Sequence, residues 1–226
     1  MVTPLAHHQT YRALRLAAAT RHRVELLTNS DVAEIHGRER VEAVTLSTGR
    51  RIECDTVVFT GGWIPDNELA RRGGIDIDRS HLGPVVDTSL RTTRAGVFAA
   101  GNLLHPAETA DVCALDGRHV AAAMTAWLSM QEWPAPSVPI HVEPPLSWIT
   151  PSWAQPQPVA AHHRFVLRAD SFVATRSIEV AQGEHTLWHG NVVGRSLAPN
   201  RSISIGAEWV EHVDPGGPPV TVRIRD

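Results

Sequence analysis

The stretch that most constrains the fold runs from Thr92 to Leu128. Thr-Thr-Arg-Ala leads into Gly-Val-Phe-Ala-Ala at 96–100, then Gly101-Asn102, a short loop and a long alanine-rich segment. Small and β-branched residues between a turn signal and a glycine predict a short buried strand over 96–100. Gly101 removes the side chain at the strand end, so a ligand can come close to the backbone. Thr109 is placed to N-cap a helix over 110–130. The first amides of that helix carry partial positive charge, suited to an electron-rich or anionic group. Together these features describe a ligand edge with Gly101, Asn102, Ala110 and Asp111 as candidate contacts. The plain alternative is a strand-end turn before a capped surface helix, with Asp111 serving the dipole.

A second segment, DTVVFTGGWIPD at 55–66, predicts a strand over 52–60 that ends in Thr60-Gly61-Gly62. A short helix over 66–72 should stop at Gly73-Gly74. Upstream, helical spacing of Tyr11, Leu14 and Ala18 predicts a helix over 11–20. A strand is expected at 24–28, followed by a meander with strands over 31–36 and 41–46 and a Thr48-Gly49 hairpin turn. In the long helix, Cys113, Gly117, Val120, Met124 and Trp127 are expected on one stripe. Gly117 there costs roughly 1 kcal/mol against alanine, which calls for close packing.

From Trp133 to Pro158 the character changes, because half of the chain's 16 prolines fall there. The expectation is an extended surface connector, neither helix nor central strand, pinned by Trp148 and Trp153. Beyond it, strands at 164–168, 177–180, 186–189, 202–205 and 220–224 are separated by Gly, Asn and Pro turns, which makes a small all-β module.

Composition narrows the function. A formal net charge of -3 leaves no electrostatic footprint for nucleic acid. All 21 basic residues are arginine, so Schiff-base and P-loop lysine chemistry is excluded. Cys54 and Cys113 are too far apart for a CxxC pair, and buried free thiols are expected. His7-His8 and His162-His163 lack helical i,i+4 spacing and are expected in solvated loops, with no metal. His105 and Glu108 share the 101–110 loop and are placed to touch a substrate, although polar side chains of a loop usually just face water. No apolar run is long enough to span a bilayer, and no secretion signal is visible, so a cytoplasmic location is expected.

The two segments, GVFAAGN at 96–102 and DTVVFTGGWIPD at 55–66, resemble motifs of the FAD-dependent pyridine nucleotide-disulfide oxidoreductase superfamily. They stand in that family's order and spacing. Within the family, DTVVFTGGWIPDNELAR and GVFAAGNLLHPAETAD look most similar to the FAD subunits of opine/amino-acid dehydrogenases and hydrogen cyanide synthases. Asn102 departs from the broader pattern, which has Asp. The resemblance implies an α/β fold, a partial two-dinucleotide-binding-domain flavoprotein, with the small C-terminal all-β module added. It divides the chain into 1–60, the end of an NAD(P) domain, and 61–132, the end of an FAD domain. The connector then takes 133–160 and the β domain 161–226. It implies FAD, with NAD(P) as a second dinucleotide, and contacts from Gly101, Asn102, Ala110, Asp111, Thr60, Gly61 and Gly62. Chemistry would be hydride transfer between an amine or nicotinamide donor and flavin, acting on a small-molecule substrate. No protein acid or base is identified.

A dinucleotide needs a strand–GxGxxG–helix unit for its pyrophosphate, and no glycine of this chain belongs to one. The expectation is therefore the C-terminal half of a flavoenzyme, completed by another polypeptide that supplies the GxGxxG half. The alternative is a non-catalytic truncated or assembly module.

Overall fold

The computed structural model describes every residue except 10–11, 22–23, 61, 107, 136–137, 157–162, 175–176, 192–195, 200 and 226. The fold is mixed α/β, and the chain separates into two compact units, Met1–Gly61 and Gly62–Asp226.

In the first unit, helix α1 (Arg12–Arg21) precedes an antiparallel meander of β1 (Val32–His36), β2 (Ala43–Leu46) and β3 (Arg51–Glu53). The central strand carries the burial, with Ala43, Val44 and Leu46 all enclosed. The α1 register differs from expectation, because Leu14 and Leu16 both face solvent. The expected strand at 24–28 reduces to one bridge between Val2 and Leu27. The expected strand over 52–60 ends at Glu53, and Val58 and Phe59 are 77% and 71% exposed. A continuous apolar run of this kind belongs to a strand buried on both faces, and among the described residues of the unit no strand pairs with it.

The second unit begins with α2 (Glu68–Arg72), stopped as expected by Gly73 and by Gly74 at φ +69°. Residues 75–100 form turns linked by single bridges, Ile77–Pro84, Val86–Thr92 and Arg91–Phe98. The expected strand over 96–100 is therefore one bridge at Phe98. Its neighbours still pack inward, with Ala99 beside Val86, Leu90, Leu104 and Val120 in a small apolar cluster. A 3-10 turn at Gly101–Leu103 leads to α3 (Ala110–Met130), whose bounds match the expectation.

Among the described residues, ten further strands follow in this unit. They are β4 (Val138–Val142), β5 (Leu146–Thr150), β6 (Trp153–Ala154), β7 (Arg164–Ala169), β8 (Val173–Ala174), β9 (Ser177–Gln182), β10 (His185–Asn191), β11 (Ser196–Leu197), β12 (Ile203–Gly206) and β13 (Val220–Arg225). A five-stranded sheet runs β10-β9-β13-β4-β6 and a three-stranded sheet runs β12-β7-β5, with β8 and β11 paired separately. One apolar core joins the two larger sheets, centred on Phe165, Leu167, Ile178, Val180, Val220 and Val222. Trp209, fully buried, stacks on Phe165 at 4.7 Å.

The proline-rich segment is thus not a surface connector. It supplies three strands, and β4 lies inside its sheet between β13 and β6. Pro139 is tolerated because the β13 ladder begins one residue later, at Ile140–Val220. Proline's missing N–H therefore falls outside that ladder. Trp148 is buried in β5 rather than pinning a connector.

Candidate functional site

The bend begins with the threonine turn. The Thr92 hydroxyl donates to the Val97 carbonyl (2.8 Å) and accepts from the Arg94 N–H (3.2 Å), which closes Thr-Thr-Arg-Ala-Gly. Gly101 follows at φ +68°, a left-handed conformation that glycine adopts without strain. A Cβ there would make only ordinary contact, 3.4 Å from the Cβ of Cys113, so the backbone conformation rather than space is what calls for glycine.

Asp116 holds that bend. One carboxylate oxygen accepts the Gly101 N–H at 3.0 Å and lies 2.5 Å from His105 Nε2. His105 is therefore buried, not facing water. Asp116 was legible in principle, because 113, 116 and 120 share one helical face. The buried stripe of α3 runs through His119 and Val120, whereas Gly117 and Met124, expected on it, are exposed.

Asn102 is exposed, but its amide is engaged at both ends. Its Oδ1 accepts the Glu108 N–H at 2.9 Å, and its Nδ2 donates to the Glu108 carbonyl at 3.3 Å. The two bonds staple the 102–108 loop shut. The Glu108 carboxylate, also expected in water, has a side chain only 8% exposed.

At the head of α3, Thr109 has the extended N-cap backbone, but its side chain makes no capping bond to the helix. Its hydroxyl beside Asp111 instead holds that carboxyl below the usual range, assisted by the N–H groups of Asp111 and Val112. A carboxylate thus already occupies the amide end of the helix. Burial pushes the Cys113 thiol up, and the Asp116 and Glu108 charges add to the rise. Cys54 and Cys113 are both free and half-buried rather than buried.

Gly101 therefore lies against Cys113 and Asp116 of α3, and Asn102 is bonded to Glu108 just before the helix start that carries Ala110 and Asp111. Thr60 and Gly62 are exposed with no regular strand around them, and Gly61 lies outside the described residues. A Cβ on Gly62 would meet nothing within 4 Å, so no steric demand for glycine is visible there.

His163, expected in a solvated loop, is buried and stacks on His119 at 4.0 Å; His162 lies outside the described residues. His81 accepts the Gly83 N–H through Nδ1 (3.1 Å), and burial pushes its pKa below the ordinary 6.5. Among the described residues no cluster of three metal-ligating side chains occurs. Among them too, no helix is long and apolar enough to cross a membrane.

A family profile described as Pyridine nucleotide-disulphide oxidoreductase matches residues 4–126. The ferredoxin reductase component of chlorobenzene dioxygenase from Cupriavidus sp. (strain PS12) is 34% identical over 123 residues, 52% of this chain and 29% of that protein. The thioredoxin reductase of Streptomyces clavuligerus is 32% identical over 129 residues, 51% of this chain and 39% of that protein. A crystal structure of a ferredoxin reductase from Rhodopseudomonas palustris aligns with TM-score 0.47 and 18% identity, covering 78% of this chain and 45% of that one. The chain thus spans less than half the length of these relatives.

Proposed function

Because the chain belongs to the pyridine nucleotide-disulphide oxidoreductase family, we propose that it forms the flavin-side edge of an FAD site in an NAD(P)-linked oxidoreductase. The observation that carries this reading is the left-handed Gly101 bend, locked by Asp116 against the first turn of α3. FAD, when bound, supplies the hydride acceptor between an amine or nicotinamide donor and the enzyme.

The residues fit one edge of the dinucleotide. Gly101 offers a backbone without side-chain bulk. Asn102, exposed and held by Glu108, keeps further lone-pair capacity on Oδ1 for a ribityl hydroxyl. Asp111 at the helix head disfavours a phosphate, so Ala110 and Asp111 suit the uncharged rim of the isoalloxazine better than the pyrophosphate. The pyrophosphate would then be held by a GxGxxG half supplied by another polypeptide or chain segment. That the Cupriavidus relative is one component of a dioxygenase system supports a multi-component setting. The unit boundary at Gly61 supports assigning 1–60 to the end of an NAD(P) domain; 61–132 would belong to the FAD domain, although the second unit runs on from it into the β sheets without a break. Thr60, Gly61 and Gly62 would serve as the crossover between them.

A visible spectrum tests the reading. Co-expression with a GxGxxG-bearing half should yield a yellow complex, and Asn102→Ala should weaken FAD binding by roughly tenfold, the worth of one good hydrogen bond. A complex that forms and stays colourless with added FAD overturns it. The second reading, a non-catalytic assembly module, is favoured by one observation: both ends of the Asn102 amide are engaged by Glu108, which gives the side chain a structural task of its own. Complex formation without flavin would establish that module.

A further inference from the structure

Glu108 is stapled to Asn102 through its backbone, while its side chain reaches the β sheets. Arg168 of β7 donates through one Nη to Glu108 Oε1 (3.1 Å) and to the Pro106 carbonyl (2.6 Å). The Ser202 hydroxyl donates to the other Glu108 oxygen at 3.0 Å. The guanidinium lies 5.3 Å from the Trp148 ring centroid, and its side chain is 8% exposed. A buried ion pair is a poor source of stability, since apolar residues of the same volume do as well or better. What it supplies is position. A single guanidinium nitrogen, set by Trp148 in β5 and by the β7 backbone, meets two acceptors two residues apart on one loop.

We propose that Arg168 is a positioning residue, which acts through Glu108 to hold Asn102 and the first turn of α3 in place. The β module is thereby coupled to the bend. Its bearing on FAD rests on the reading above, whereas the clamp itself can be tested without flavin.

Cys113 is the reporter, because its half-buried thiol stands 3.6 Å from where a Gly101 side chain would begin and takes a hydrogen bond from the Asn102 backbone, so a shift of the bend changes its access. In a Cys54→Ser background, the rate of Cys113 modification by 5,5′-dithiobis(2-nitrobenzoate) is compared for the parent, Arg168→Met, Ser202→Ala and Glu179→Gln. Glu179, on β9, is bonded to Arg223, Arg225 and Thr186, none of which belongs to the loop. Arg168→Met should raise the rate about tenfold and Ser202→Ala two- to threefold, through easier local opening. Glu179→Gln should stay within about twofold of the parent despite a lower melting temperature. Removing Arg168 leaves the Glu108 charge uncompensated and pushes the thiol pKa further up, so electrostatics alone would slow the reaction. An unchanged rate in Arg168→Met, or an equal rise in Glu179→Gln, overturns the clamp. If Arg168→Met does not fold, Ser202→Ala decides by the same criterion. Exposure of Cys113 in Arg168→Met, with a parent complex that binds no FAD, would retain the clamp and discard the flavin reading.

Discussion

The second unit holds two regions that meet the same problem differently. The β sheets close a core on themselves, with Phe165, Leu167, Ile178, Val180 and Val222 all but fully enclosed. Helix α3 buries one stripe only. Leu128 and Met130, 73% and 58% exposed, stand outside, and a Cβ on Gly117 would meet nothing within 4 Å. The difference teaches which residues answer to this chain's own stability and which do not. A glycine in mid-helix with nothing packed on it lowers stability without return inside this chain.

The sharpest break between the regions should come from the core. Trp209→Ala removes a fully buried indole stacked on Phe165 and is expected to cost about 3–5 kcal/mol by urea denaturation. A loss below about 1 kcal/mol would mean that the sheets do not carry the stability.

The next effect is acidic. Hydrogen bonds from Arg223, Thr186 and Arg225 hold Glu179 well below its ordinary 4.5, at about 2. A depressed carboxylate contributes its full stability above the unfolded pKa and loses it as pH falls through the folded one. Melting temperature should therefore drop between about pH 4.5 and 2, and less steeply in Glu179→Gln. The buried His81 adds a milder slope in the same direction. Its folded pKa is lowered, so the unfolded chain binds the extra proton, and stability declines as pH falls below the ordinary 6.5. His81→Phe should flatten that part of the profile.

Smaller effects belong to α3. Gly117→Ala should stabilise the chain by about 1 kcal/mol, since no atom opposes the added methyl. The same variant should weaken any partner that packs closely there, which a pull-down with the GxGxxG half measures. Leu128→Ala, on the exposed face, should change stability by no more than about 0.5 kcal/mol. A larger loss would show that the face is covered, for example by a second copy.

Local signals were legible wherever their cause lies within a few residues. The cap position at Thr109 and the helix over Ala110–Met130, the Gly73-Gly74 stop and the meander of β1 to β3 follow from turns, caps and alternation. Gly101 as a bend was legible because few side chains tolerate its conformation. The strands expected at 52–60 and 96–100 failed because a strand is a relation between two segments, and propensity reports only one. The proline count misled over β4 for the converse reason. A proline is excluded only where its N–H would face a partner, and register, not composition, sets that.

The residues themselves determined the family, the position of the bend and the helix behind it, because these rest on contiguous motifs and near-neighbour geometry. Only the tertiary structure decided that Glu108, His105 and His163 are buried and that Asp116 and Arg168 hold the loop. Arg168 and Glu108 stand 60 residues apart. No local pattern encodes such a pairing, because the ion pair exists only once β7 has folded into its sheet and come to lie against the loop before α3.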